Sequence, residues 1–312
     1  MCSGTILAAM PRMHSHPVLI VSDVDGTLID GSGAWPEPPR GLRARLDRVS
    51  DELGAPITLA LASSRTLDEL LALQRWLGRS GPCLAEDGAV VAIDDDAEGH
   101  ARRALRSTGV GHAELRVAGR RRLWVTRLGD PVERVRESLR AWPGSAAADV
   151  ARADDLRLTA LGFRSPSQRR RALFSRRASV LLDPTQWRAV VRTAGEHAPR
   201  GVEVDIARGG RWSTATRRAG KGAAIGWLRH LLDSGERGTT LVVGIGNGEN
   251  DRSLLEAADI PFAVRNDANG VHPALRDVDN VTVLDAIGAR AWLEMLDRLP
   301  GMLAPQLTAE TH

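Results

Sequence analysis

Apolar residues fall into two alternating patterns along this chain. Some form short unbroken runs, others helical stripes. Val18-Leu19-Ile20-Val21 is such a run, three of its four residues β-branched. With no polar alternation, it predicts a strand covered on both faces, as at the centre of a parallel sheet. Residues 57–62 and 241–245 repeat the pattern. Shorter strands are expected at 82–93, around a Glu86-Asp87-Gly88 turn, and at 261–264. Helices lie between them. One is expected over about 40–53. Another follows Thr66, which has Glu69 three residues on as a capping box, and shows a stripe of Leu67, Leu70, Leu71 and Leu77. Ala224, Trp227, Leu228 and Leu231 mark a third, and residues 253–258 a fourth. Strands alternating with helices predict an α/β fold with a parallel sheet.

The alternation stops between about residues 95 and 215. There the pattern is mixed: a strand at 123–126, helices at 131–142 and 184–197, and a hairpin of 202–207 with 211–214 across Gly209-Gly210. This is read as an α+β insert. The expected organisation is a tail (1–16), a core in two parts (17–94 and 216–304), the insert (95–215) and a loose tail (305–312). Charge follows the same division. The insert holds 24 arginines, no lysine and 14 acids, although the whole chain is only +3. Such a basic segment suits an anionic small molecule or a nucleic acid. With three Phe and no Tyr, stacking platforms are scarce, which argues against nucleic acid. No apolar run approaches the roughly 18 residues of a membrane span. Residues 6–10 lack a basic stretch before them and are not read as a signal peptide. Cys2 and Cys83 make no disulfide framework, so a reducing cytoplasm is expected.

The chemistry gathers where strands end. Ligands of open α/β sheets bind beyond the carboxyl ends of strands. The first run leads into Asp23-Val24-Asp25-Gly26-Thr27. Two carboxylates so close repel unless a cation lies between them or one holds a proton. That points to a metal ion or to acid/base chemistry; an Asp-Gly turn is the plainer alternative. The second run ends in Ser63-Ser64-Arg65 before a helix, where hydroxyls and N–H groups can hold a phosphate, or Ser63 can simply cap. Of 42 basic residues, 41 are arginine; the single lysine is Lys221, at the start of the third helix. The helix dipole disfavours a cation there, so a nearby anion is expected. A compact ammonium is also not replaceable by a planar guanidinium in a tight phosphate site. The third long run ends in Gly246-Asn247-Gly248-Glu249-Asn250-Asp251.

Taken together, these elements resemble, in order, the four motifs of the haloacid dehalogenase superfamily. Asp23-Val24-Asp25-Gly26-Thr27 resembles the first, Ser63 the second, Lys221 the third, and Asn250-Asp251 the end of the fourth. The resemblance implies a Rossmannoid core, with an insert corresponding to the type-two (C2) cap. Ser63-Ser64-Arg65-Thr66, Glu86-Asp87-Gly88-Ala89 and Gly209-Gly210-Arg211-Trp212 are similar to mannosyl-3-phosphoglycerate phosphatases.

That resemblance implies a phosphatase acting on a phosphorylated sugar or a glycosyl-3-phosphoglycerate. Asp23 is then the nucleophile and Asp25 the general acid and base. Ser63, Ser64 and Lys221 hold the phosphoryl oxygens. Mg²⁺ is held by Asp23, Asp25, Asn247 and Asp251, with Asn250 on the substrate side. Arginine forks bind carboxylates, which makes Arg211, Arg176 and Arg177 candidates for the rest of the substrate. Two positions depart from the family pattern. Asn247 stands where the family has Asp, which bears on metal affinity. Ser175-Arg176-Arg177 stands where the family has Ser-Glu-Pro, which bears on substrate. The alternatives are a general sugar-phosphate or glucosyl-3-phosphoglycerate phosphatase and, from another class, a catalytically weak protein binding an anionic ligand or RNA.

Overall fold

The computed structural model describes residues 16–30, 39–95, 105, 113–118, 121–141, 176–182, 188, 203–209, 212–233, 239–266 and 270–308. The first apolar run is strand β1 (Val18–Ser22), and every residue in it is buried. It is followed by α1 (Pro39–Leu53), β2 (Ile57–Ala62), α2 (Leu67–Leu77), β3 (Cys83–Ala85) and β4 (Val90–Asp94). Then come β5 (Ala113–Ala118), β6 (Arg121–Arg127) and α3 (Val132–Arg140). Strands β7 (Ser179–Leu182), β8 (Asp205–Gly209) and β9 (Trp212–Thr216) follow, and then α4 (Lys221–Asp233) and β10 (Leu241–Gly246). A 3₁₀ turn (Glu249–Asp251) leads into α5 (Arg252–Glu256), β11 (Ile260–Arg265), α6 (Pro273–Arg276), β12 (Thr282–Ile287) and α7 (Ala289–Thr308).

Nine strands form one sheet in the order β12-β11-β10-β1-β2-β3-β4-β6-β5. From β12 to β3 the pairing is parallel, and from β3 to β5 antiparallel. The absence of alternation in β1 follows from its central place. Val18 and Ile20 join the core under α1, α2 and α7, whereas Leu19 and Val21 join the core under α4 and α5. Both faces are dry, so both need apolar side chains. Glu69 accepts hydrogen bonds from Thr66 N and Oγ at 3.0 Å each, and Gly78 ends α2 in the left-handed conformation.

A second, three-stranded sheet has the order β7-β9-β8, all antiparallel. Val132, Val135 and Leu139 of α3 cover one face of it, against Val180, Leu182, Val204 and Ala215. The expected boundary at residue 95 does not coincide with the change of sheet. The β5–β6 hairpin pairs onto β4, from Asp94↔Leu123 to Val90↔Arg127, so the large sheet continues to Arg127. The expected helix at 184–197 lies outside the described residues, apart from Arg188. The hairpin is present, with strands ending at Gly209 and beginning at Trp212.

The carboxyl-terminal expectation needs correction. Residues 305–308 are the last turn of α7, not a loose tail. Proline usually breaks a helix, and α7 contains both Pro300 and Pro305. The helix persists because Trp292, Met295, Leu296, Leu299 and Leu303 form a buried stripe against the core. Among the described residues, no helix is long and apolar enough to cross a membrane.

Candidate active site

Parallel pairing delivers the residues after β2, β1, β10 and β11 to a single edge of the sheet. Those residues are Ser63, Asp23, Asn247 and Asn266. Asp23 N–H donates to Ile245 O at 2.9 Å, which locks the end of β1 to β10. Behind it, Trp292 Nε1 donates to Ser22 Oγ (2.9 Å), and that hydroxyl donates to Asp23 O (2.6 Å).

Lys221 opens α4, and its side chain is fully buried. Its ammonium donates to Asp23 Oδ1 at 2.7 Å and to Asp251 Oδ1 at 2.6 Å. These two carboxylates are the anions expected beside a cation at a helix start. The other oxygen of Asp251 accepts from the N–H groups of Asn247 and Gly248, both at 2.9 Å. Asp251 therefore ties the loop after β10 to the lysine. Burial, and then the charge of Asp251, push the Asp23 carboxyl up to about 7 against the pull of Lys221. Burial alone would lower the pKa of Lys221, but Asp23 and Asp251 outweigh it and hold the ammonium charged.

Asp25 is different. Its side chain is 55% exposed, and Arg65 grips it with a bidentate fork, Nε to Oδ2 at 2.8 Å and Nη2 to Oδ1 at 2.6 Å. Arg65 N–H also donates to Ser63 Oγ at 3.3 Å. The residues after β1 and β2 are thus joined by a guanidinium that the sequence reasoning did not single out. Its only signal was its place beside the paired serines.

Asn247 sits over Gly26, whose φ is +80; a Cβ at Gly26 would lie 2.5 Å from Asn247 Nδ2. Thr27 Oγ donates to Asn247 Oδ1 at 3.1 Å. Asn247 Nδ2 donates to Asn266 Oδ1 (2.5 Å), and Asn266 Nδ2 returns a bond to Asn247 O (2.8 Å). Asn266 was also missed; its place just after a parallel strand could have marked it.

The turn between β3 and β4 adds a further carboxylate. Glu86, Asp87 and Gly88 all have positive φ, and a Cβ at Gly88 would lie 2.5 Å from Gly220 O, so only glycine fits there. Asp87 is buried. Its Oδ1 accepts from Asn250 Nδ2 at 3.3 Å, and its Oδ2 has no partner among the described residues. Burial pushes this carboxyl above its ordinary range. Asn250 is thereby turned onto Asp87.

The expected cap arginines separate. Arg176 Nη1 donates to Ser64 O (3.2 Å) and Ser179 Oγ (2.8 Å), at the seam between the two sheets. Arg177 points away from the site to Glu114 of β5, at 2.5 Å. Arg211 lies outside the described residues.

The donors at this edge suit a divalent cation. Among the described residues, no three His, Cys, Asp or Glu side chains form a ready metal cluster. The available donors are all hard oxygens: the Asp23 carboxylate, the Asp25 carbonyl and the Asn247 amide oxygen. Mg²⁺ uses one or two carboxylates together with waters and substrate phosphate. Three buried carboxylates, Asp23, Asp87 and Asp251, face the single ammonium of Lys221, so a further cation offsets unbalanced charge. The residues fit Mg²⁺. Asp251 serves it least directly, since both its oxygens are already engaged.

No protein-family model matches the chain. Solved structures do. A haloacid dehalogenase-like hydrolase from Bacteroides thetaiotaomicron aligns at TM-score 0.55 and 17% identity, over 91% of this chain and 99% of that one. Another from B. subtilis aligns at 0.50 and 17%, over 90% and 99%. A protein from Thermoplasma acidophilum aligns at 0.56 and 16%, over 91% and 98%. At these identities the likeness is one of architecture: the chain has the α/β fold of haloacid dehalogenase-like hydrolases, with a second small sheet set between the two parts of its parallel core.

Proposed function

We propose that this protein is a Mg²⁺-dependent phosphatase that hydrolyses a phosphate monoester through an aspartyl-phosphate on Asp23. The observation that carries this reading is the buried Asp23–Lys221–Asp251 arrangement at the carboxyl edge of β1. It presents a carboxylate and an ammonium side by side, which suits attack on a dianionic phosphoryl group.

Asp23 forms a bond to phosphorus as the ester P–O bond breaks, and Asp25 gives a proton to the departing oxygen. Asp25 then takes a proton from water as that water's oxygen bonds to phosphorus and the Asp23–phosphorus bond breaks. Phosphate leaves and the Asp23 carboxylate is restored. Lys221 holds one Asp23 oxygen and, with Ser63 and Ser64, offsets charge on the phosphoryl oxygens. Arg65 must release or share Asp25 for the proton transfers; this pair is partly exposed, so the exchange costs little. Asp23, the Asp25 carbonyl and Asn247 would hold Mg²⁺, which would supply further charge neutralisation.

The substrate is read as a phosphorylated sugar or a glycosyl-3-phosphoglycerate. The narrower reading, a mannosyl-3-phosphoglycerate phosphatase, rests on the short sequence patches at 63–66, 86–89 and 209–212. The test is phosphate release from a panel of esters, with and without Mg²⁺ and vanadate. Asp23→Asn should abolish turnover while the fold survives. Retention of more than about a tenth of the activity, roughly 1.4 kcal/mol in barrier, overturns the assignment.

A further inference from the structure

The small sheet has two unlike faces. Side chains alternate along a strand, so residues packed on α3 identify one face: Val180, Leu182, Ile206 and Ala215. The opposite face carries Ser179, Thr214, Thr216, Asp205 and Ala207. Register aligns Ser179, Thr216 and Asp205 in one row across the three strands.

That row faces the candidate active site. Ser179 Oγ donates to Glu86 Oε2 at 2.7 Å, and Glu86 also accepts the N–H groups of Arg177 (2.9 Å) and Ala178 (3.0 Å). The next residue is Asp87, which holds Asn250. Asp205 begins β8, the strand that packs along the turn carrying Asn250 and Asp251.

Among the described residues no cation neutralises Asp205, although its segment is rich in arginine. Among the described residues it has no hydrogen bond or ion pair. Nearby arginines are committed elsewhere: Arg65 to Asp25, Arg176 to Ser64 and Ser179, and Arg217 to Asp130 and Glu203. Arg208 lies on the α3 side by alternation. Asp205 is open to solvent, yet partial burial still raises its carboxyl.

Resting on the phosphatase reading, we infer that Asp205 is a specificity-determining residue. Its carboxylate accepts hydrogen bonds from hydroxyls of the leaving group and repels a leaving group bearing its own carboxylate. The preferred substrate is then the phosphate monoester of a neutral, polyhydroxylated alcohol, which selects the phosphorylated sugar of the proposed function over the carboxylated glycosyl-3-phosphoglycerate. A carboxylate pairs two neighbouring hydroxyls well. A second carboxylate brought against it loses both those bonds and water.

The experiment compares glycerol 3-phosphate with 3-phosphoglycerate, which differ only in a hydroxymethyl group against a carboxylate. The wild type should favour glycerol 3-phosphate in kcat/KM. Asp205→Asn keeps the shape and removes the charge, and should shift the ratio of the two by about tenfold towards 3-phosphoglycerate. A change that merely loosens the fold would lower both esters together; an unshifted ratio, or a wild type favouring 3-phosphoglycerate, overturns the inference. If the wild type hydrolyses neither these esters nor p-nitrophenyl phosphate, it is the phosphatase reading that fails. The binding ratio of the two esters, measured by calorimetry on Asp23→Asn with and without Asp205→Asn, then tests Asp205 by the same criterion.

Discussion

At the scale of single residues, Lys221 concentrates most of the account. Its ammonium is enclosed and touches two carboxylates, so there is no room for a planar guanidinium. Lys221→Arg should lower kcat by about a hundredfold or more, although the charge is kept; wild-type kcat in that variant would make the lysine a compositional accident. Asp23 must be ionised to attack, and its carboxyl is held near 7, mainly by burial. Because the folded value is raised, the nucleophile is lost as pH falls through about 7, well above the usual carboxylate range. The acid limb of kcat/KM at low metal should therefore lie near neutrality, and a limb near pH 4 contradicts this. Asn247 offers one oxygen where Asp would offer a charge. Asn247→Asp should lower the half-saturating Mg²⁺ concentration by about tenfold, and an unchanged value separates Asn247 from the metal. Lys221, Asp23 and Asn247 were legible because composition or strand position marked them. Arg65, Asp87 and Asn266 were not, since their roles arise from partners far away in the chain: Asp25, Asn250 and Asn247.

At the scale of elements, the unbroken apolar runs showed which strands are central, and Thr66 with Glu69 marked the start of α2 closely. Where patterns were weak, the reading was poorer. The hairpin Ala113–Arg127 is rich in arginine, and only its pairing with β4 places it in the large sheet. The sequence predicts a loose tail from residue 305, but the buried stripe of α7 carries the helix through Pro300 and Pro305 to Thr308. The turn at Glu86 was visible; its role was not. Its buried carboxylate receives three donors from the start of β7, so it pins the small sheet to the core. Glu86→Ala strands those donors and should cost about 3 kcal/mol. It should lower Tm and speed amide exchange at Ala178 and Ser179 more than in β1. Equal exchange in the two strands contradicts a local pin.

At the scale of the whole molecule, charge and architecture divide differently. The basic segment was read as facing an anion, yet several of its arginines are spent on internal acids. Arg121 takes Asp94, Arg122 takes Asp95, and Arg177 takes Glu114. Among the described residues of the small sheet, the charge without a partner is that of Asp205, so the overall charge of the segment is a poor guide to the ligand. The parallel core does the decisive work by bringing the ends of four strands to one edge.

The central claim is that Asp23 becomes phosphorylated during turnover. Rapid acid quench with a radiolabelled phosphate ester, then borohydride trapping and peptide mapping, tests it most directly. The account predicts label on the peptide containing Asp23, conversion of that residue to homoserine on trapping, and neither in Asp23→Asn. Label on another residue, or full turnover without any labelled protein, contradicts it.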